Sequence, residues 1–267
     1  VRTDIIDLSQ SSKISNPMTE FTYDRFAKKY LTALLSTIGT VHVHRCVNSN
    51  VQETEREKPA TELIHDRFAK EYLQELLSPL GTVNVRRDVT SEIREIDVYF
   101  TQTTSEPQPI ENLGLLDRIA VPTAILEPFG NPVTESEIWD CMAKCFNVSA
   151  ELEQQFKKQN TPWDESAFPM LWILTPTASD DFLIGFGAFP DEANWMKGMY
   201  FLGSAFRAAI VVIDQLPEIP ETLWLRMLGR GEVQLRAIAE LRNLAVDNPL
   251  RISALELWNE EGKNSNA

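Results

Sequence analysis

The chain reads as an α/β protein: a mixed central sheet with helices on both faces, followed by a C-terminal helical extension. Three observations predict this. Five short apolar runs (Ile96–Phe100, Thr123–Leu126, Met170–Leu174, Met199–Leu202 and Ala208–Ile213) have strand length and are set off by turn-forming residues. Between the second and third runs lies a stretch with apolar residues at helical spacing behind a capping signal. From about residue 216 the rest of the chain is helical in pattern.

The first elements come from an internal duplication. Residues 19–53 align with residues 61–95 at a constant offset of 42, and twenty of the 35 positions are identical. Asp24-Arg25-Phe26-Ala27-Lys28 returns as Asp66-Arg67-Phe68-Ala69-Lys70, Tyr30-Leu31 as Tyr72-Leu73, and Gly39-Thr40-Val41 as Gly81-Thr82-Val83. Two copies are too few for a solenoid, which needs about three stacked units. Within a copy, Phe68, Tyr72, Leu73, Leu76 and Leu77 fall at i, i+4, i+5, i+8 and i+9, a helical stripe. Gly81 ends that helix, and Val83 and Val85 begin a strand.

Beyond the strand the copies diverge. The second runs on into Ile96-Asp97-Val98-Tyr99-Phe100, whereas the first meets Thr54-Glu55-Arg56-Glu57-Lys58. Such a charged run is unsuited to a central strand, because unpaired buried charge costs several kcal/mol. The expected organisation is therefore a disordered extension over 1–18, a vestigial partial duplicate over 19–58, a complete domain over 59–215 and a helical extension over 216–267. Two copies this similar are also expected to compete for one docking site, or to swap between chains.

The remaining elements follow in order. Residues 101–114 read as a loop and Leu113–Ile119 as a short helix, ahead of the strand Thr123–Leu126. Thr134-Glu135-Ser136-Glu137 is a capping-box pattern. The helix it opens buries Ile138, Cys141, Met142, Cys145 and Phe146 and runs to about Lys158. At the C-terminal end the expected helices are Glu221–Leu228, Val233–Leu244 and Leu250–Asn259, punctuated by Gly229, Gly231 and Pro249.

Composition narrows the function. At 267 residues the chain makes one large domain or two small ones, and 43% hydrophobic residues, with six Trp and thirteen Phe, can build a core. A net charge of −14 repels phosphate backbones and disfavours a general nucleic-acid coat. It leaves room for a nuclease, since a divalent metal neutralises a local acidic cleft. No run approaches the ~18 apolar residues of a membrane span, so no membrane partner is expected. The N-terminus lacks a secretion pattern. Three cysteines at unremarkable spacing fit a reducing compartment, and the expected location is cytoplasmic.

The chemistry rests on Asp97 and Glu127, each near the end of a predicted strand. Carboxylates converging from a hairpin and the next strand make a hard-oxygen site for Mg²⁺ or Mn²⁺. The structural alternative has them pairing with Arg86, Arg87 or Arg94. Asp66 and Glu71 on the first helix are candidate further metal ligands, or ordinary surface charges. Lys144, on the capped helix, reads either as a charge supplied to the site or as a solvated surface residue. Cys141 and Cys145 are core thiols by their position in the apolar stripe. Thr175, Thr177 and Ser179 read as a turn or helix cap, with phosphate contact the alternative. Arg226, Arg230 and Arg236 form a sparse basic strip. Gly185-Phe186-Gly187 lacks the pattern of a dinucleotide loop, and no P-loop string is present.

His65-Asp66-Arg67-Phe68-Ala69-Lys70-Glu71-Tyr72-Leu73 resembles the opening of PD-(D/E)XK proteins of the recombination-promoting nuclease and putative transposase group. In the same comparison Ile96-Asp97-Val98 resembles that group's metal-binding Asp, and Ile125-Leu126-Glu127 its following acidic strand. More closely, residues 61–258 resemble a set of cyanobacterial proteins of this kind. The resemblance implies a restriction-endonuclease-like fold and Mg²⁺-dependent phosphodiester hydrolysis in DNA, with Asp97 and Glu127 as metal ligands. It also implies a Lys or Gln two positions after the acidic residue. Here that position is Phe129, which cannot orient water, so Lys144 would have to substitute. The competing expectation is a non-catalytic interaction protein that keeps the fold and binds a protein partner.

Overall fold

A computed structural model describes residues 20–42, 45–46, 94–102, 113–120, 122–162 and 164–264. The expected extension over 1–18, the charged run 54–58 and almost all of the second repeat, with Asp66, Glu71, Arg86 and Arg87, lie outside the described residues. The chain divides into two compact units: residues up to 44 together with those from 95 onward, and residues 45–94.

The first unit opens with α1 (Glu20–Leu35) and β1 (Gly39–His42). Two short strands, β2 (Arg45–Cys46) and β3 (Arg94–Glu95), form a small separate sheet. Then come β4 (Val98–Gln102), α2 (Leu115–Ala120), β5 (Thr123–Pro128) and α3 (Glu135–Gln159). After these follow β6 (Met170–Thr175), α4 (Asp180–Gly185), β7 (Phe189–Pro190), β8 (Met199–Phe201) and β9 (Ala208–Val212). The C-terminal helices are α5 (Leu223–Arg226), α6 (Gly231–Asn243) and α7 (Pro249–Asn264). The large sheet has seven strands in the order β1-β4-β5-β6-β9-β8-β7. Its centre, β5-β6-β9, is parallel and both flanks are antiparallel.

β5 is buried at all six positions, the pattern of a strand covered on both sides. Successive side chains point to opposite faces. Ala124 and Leu126 join one apolar cluster with α1, α2 and the C-terminal helices. Ile125 and Glu127 face the other way, toward α3, whose Lys144 touches Glu127. Helices therefore cover both faces.

α1 buries Phe26, Ala27, Tyr30, Leu31, Leu34 and Leu35 completely or nearly so. Five large side chains at about 2 kcal/mol each contribute on the order of 10 kcal/mol, comparable with the whole net stability of a domain. β1 then lies along β4, with Gly39 opposite Gln102 and His42 opposite Tyr99. Only glycine fits at 39: a Cβ there would fall on the Phe100 ring and within 2.6 Å of the Thr101 carbonyl.

The sequence reading assigned this helix and strand to the second repeat; among the described residues, the first repeat fills the position. That reading took the strand after each repeat to be the repeat's own continuation. Instead β1 pairs with β4, which lies beyond the second repeat. The C-terminal helices also differ from expectation. Leu223, Trp224, Leu225, Met227, Leu228, Ala237, Ile238 and Leu241 share one core with the sheet and α1, so residues from 216 onward complete the domain. Tyr30 Oη donates to the Trp224 carbonyl at 3.0 Å, and Phe26 meets Trp258 edge-on. Among the described residues no helix is long and apolar enough to cross a membrane.

Candidate functional site

β4 and β5 run antiparallel with Val98 opposite Leu126. One step further along that register, Asp97 stands beside Glu127, and its amide reaches Glu127 Oε1 at 3.4 Å. Thirty positions of sequence separation thus become a cross-strand neighbour contact. Asp97 sits at the bend just before β4, and Glu127 is the penultimate residue of β5.

α3 brings the third group. Its Thr134 cap accepts from the Glu137 amide, and the Glu137 carboxylate accepts from the Thr134 amide at 2.7 Å, closing the expected box. Ile138, Cys141, Cys145 and Val148 are buried. Lys144, three residues after Cys141, flanks that stripe, and its ammonium lies 2.7 Å from Glu127 Oε2. With 14% of its side chain exposed, Lys144 is not the solvated surface residue of one sequence reading. Its aliphatic stem lets the charge reach inward while the backbone stays at the helix flank.

A fourth group was not anticipated. Lys28 on α1 places Nζ 2.8 Å from Asp97 Oδ1. The signal was in the sequence, since Lys28 ends the pentapeptide that recurs at 66–70. Among the described residues Asp97 thus pairs with Lys28 and Glu127 with Lys144, while Arg86 and Arg87 lie outside them.

Glu127 is 1% exposed. Burial raises its pKa to about 7, the Asp97 charge pushes the same way, and Lys144 offsets part of both. For Lys144, burial works against the ammonium, but attraction to Glu127 outweighs it and the pKa is raised. Burial, followed by the Glu127 charge, pushes the Cys141 thiol far up, and burial raises Cys145 to about 11. Both thiols are inert core groups, as expected.

The other candidates lie elsewhere. Ser179 caps α4, accepting from the Phe182 amide, and Thr175 Oγ1 bridges the Val133 amide and the Thr177 carbonyl. The basic strip does not form. Arg226 is fully buried and bidentate on Glu240, Arg230 reaches Asn131, and Arg236 pairs with Glu218 and Glu232. The expectation failed because Arg226 lies on the inner side of α5, where Thr222 and the Ile219 carbonyl complete its donors. Phe129 keeps its place in the sheet, its amide donating to the Leu174 carbonyl at 2.8 Å. Among the described residues no cluster of three or more His, Cys, Asp or Glu side chains could hold a metal ion. Among those residues the site offers two carboxylates, Asp97 and Glu127.

The fold and site define an α/β protein with a carboxylate–lysine cluster at the end of a central strand. No family model, no curated protein and no solved structure matches the chain.

Proposed function

We propose that Asp97, Glu127 and Lys144 form the active site of a Mg²⁺-dependent phosphodiesterase acting on DNA, in a restriction-endonuclease-like domain of the PD-(D/E)XK kind. The observation that carries this reading is the Lys144 ammonium, 2.7 Å from Glu127 and supplied by the helix after the acidic strand. That is the charge which Phe129 cannot provide. Two carboxylates side by side suit Mg²⁺, which takes one or two and keeps several waters. The donor set fits, and the Asp97 charge, which after burial is the next cause of Glu127's raised pKa, would favour a cation there. When bound, Mg²⁺ would supply a more acidic water and offset phosphoryl charge. Asp97, the more exposed acid, and Glu127 would hold the ion. Lys144 would keep Glu127 ionised and leave one positive charge beside the phosphate.

One observation favours a second reading, a non-catalytic protein that binds a protein partner. Each carboxylate already has a lysine within 3 Å, so the cluster neutralises itself. Calorimetric titration of the chain with Mg²⁺ and Mn²⁺, alongside cleavage of duplex DNA, separates the two. The nuclease reading expects metal-dependent cutting that Asp97→Ala abolishes, and that Lys144→Met lowers by about 10²-fold or more with metal binding retained. Cutting that survives Asp97→Ala would remove that residue from the mechanism. Absence of metal binding would favour the interaction protein.

A further inference from the structure

The position filled by α1 and β1 is matched a second time in the sequence. Among residues 25–41, every side chain of the first repeat that is buried has an identical counterpart 42 positions on. Phe26, Ala27, Tyr30, Leu31, Leu34 and Leu35 correspond to Phe68, Ala69, Tyr72, Leu73, Leu76 and Leu77. Gly39, which the Phe100 ring requires, corresponds to Gly81, and Lys28, which touches Asp97, to Lys70. Over the same residues the differences fall at Lys29, Thr32, Ala33, Thr37 and Ile38, all exposed or half-buried. Five changes placed at random over these seventeen positions would more often than not touch one of the six. Pro79 replaces Thr37, and the only backbone bond this removes is a long one, 3.4 Å to Leu34.

Chain connectivity points the same way. β1 pairs with β4 across 56 residues between His42 and Tyr99, whereas residue 84 in the same register would be separated from Tyr99 by 14. Closing a chain one quarter as long is favoured by about eightfold on loop entropy.

We propose that the sheet accepts either repeat, and that residues 62–84 exchange with residues 20–42 for the same position within one chain. Lys70 then takes the place of Lys28 at Asp97, so the carboxylate–lysine cluster is assembled in both arrangements. What changes is the outer surface of the docked helix, where Lys29 and Ala33 give way to Glu71 and Glu75.

Single and double variants of the full chain test this. Leu31→Asp and Leu73→Asp singly are each expected to keep one cooperative thermal transition with Tm lowered by at most a few degrees, and the double variant to lose the transition. Loss of the transition in Leu31→Asp alone would overturn the proposal, as would a double variant no less stable than Leu31→Asp. A cross-link gives an independent reading. Thr40 lies opposite Thr101, so Thr40→Cys/Thr101→Cys reports the first repeat and Thr82→Cys/Thr101→Cys the second. Mild oxidation should yield both disulfides in monomeric protein, identified by mass spectrometry. An 82–101 link that forms only between chains would overturn exchange within one chain in favour of a swapped dimer.

Discussion

At Glu127, burial and the neighbouring Asp97 charge favour the protonated acid, while Lys144 favours the carboxylate. The folded chain holds this proton up to about pH 7, whereas an unfolded chain releases it near 4.5. Between those values the folded state binds one proton more, so stability falls as pH rises through the window and levels off above it. The full effect is about 3 kcal/mol. Urea unfolding at pH 5 and pH 8 should show the decline, and Glu127→Gln should flatten it; an unchanged slope would assign the effect to another group. Lys144→Met should cost about 3 kcal/mol at pH 8, where it strands a buried carboxylate, and less at pH 5, where Glu127 is protonated. The two acids were legible as strand-end carboxylates and the register made them neighbours. Lys28 was not, because a lysine on a helix shows nothing of which strand end it will reach, and only its repetition at Lys70 marked it.

α3 shows how far local signals carry at the level of elements. Its cap was readable from Thr134 and Glu137, and its end fell within a residue of expectation. Its buried face is narrower than its apolar stripe, however: Met142 is half-buried and Phe146 largely exposed, because the sheet covers only part of it. Thr134→Ala should cost about 1 kcal/mol, read as a lower thermal midpoint, by freeing the first-turn amides. α4 escaped prediction since six residues hold too little periodicity, though its Ser179 cap was recognised as such. α5 is preceded by a 3-10 turn over Pro220–Thr222, and its Arg226 was misjudged because burial of a guanidinium depends on Glu240, fourteen residues away on α6. Arg226→Met should lower stability by about 3 kcal/mol, while Arg236→Met, exposed and paired at the surface, should change it by less than about 1 kcal/mol. Chemical denaturation of the two side by side checks the contrast.

For the molecule as a whole, strand number and order of appearance were largely visible, but the choice of repeat was not. The segment 42 positions on is identical to the first repeat at every buried position of α1, so no local reading of the sequence tells which of the two lies against β4. Deletion of residues 1–58 should leave cooperative unfolding if the second repeat can fill the position, and circular dichroism on heating would reveal its loss if not. The far margin of the sheet carries a different consequence. β7 is two residues long and ends in Pro190, while Phe189 stands 61% exposed beside it. An outermost strand with an apolar side chain would ordinarily template further chains, but a ring nitrogen without hydrogen has nothing to donate to an incoming backbone. Pro190 thus gives this margin one donor fewer for strand addition, and Pro190→Val is expected to raise thioflavin-positive aggregation of a concentrated solution.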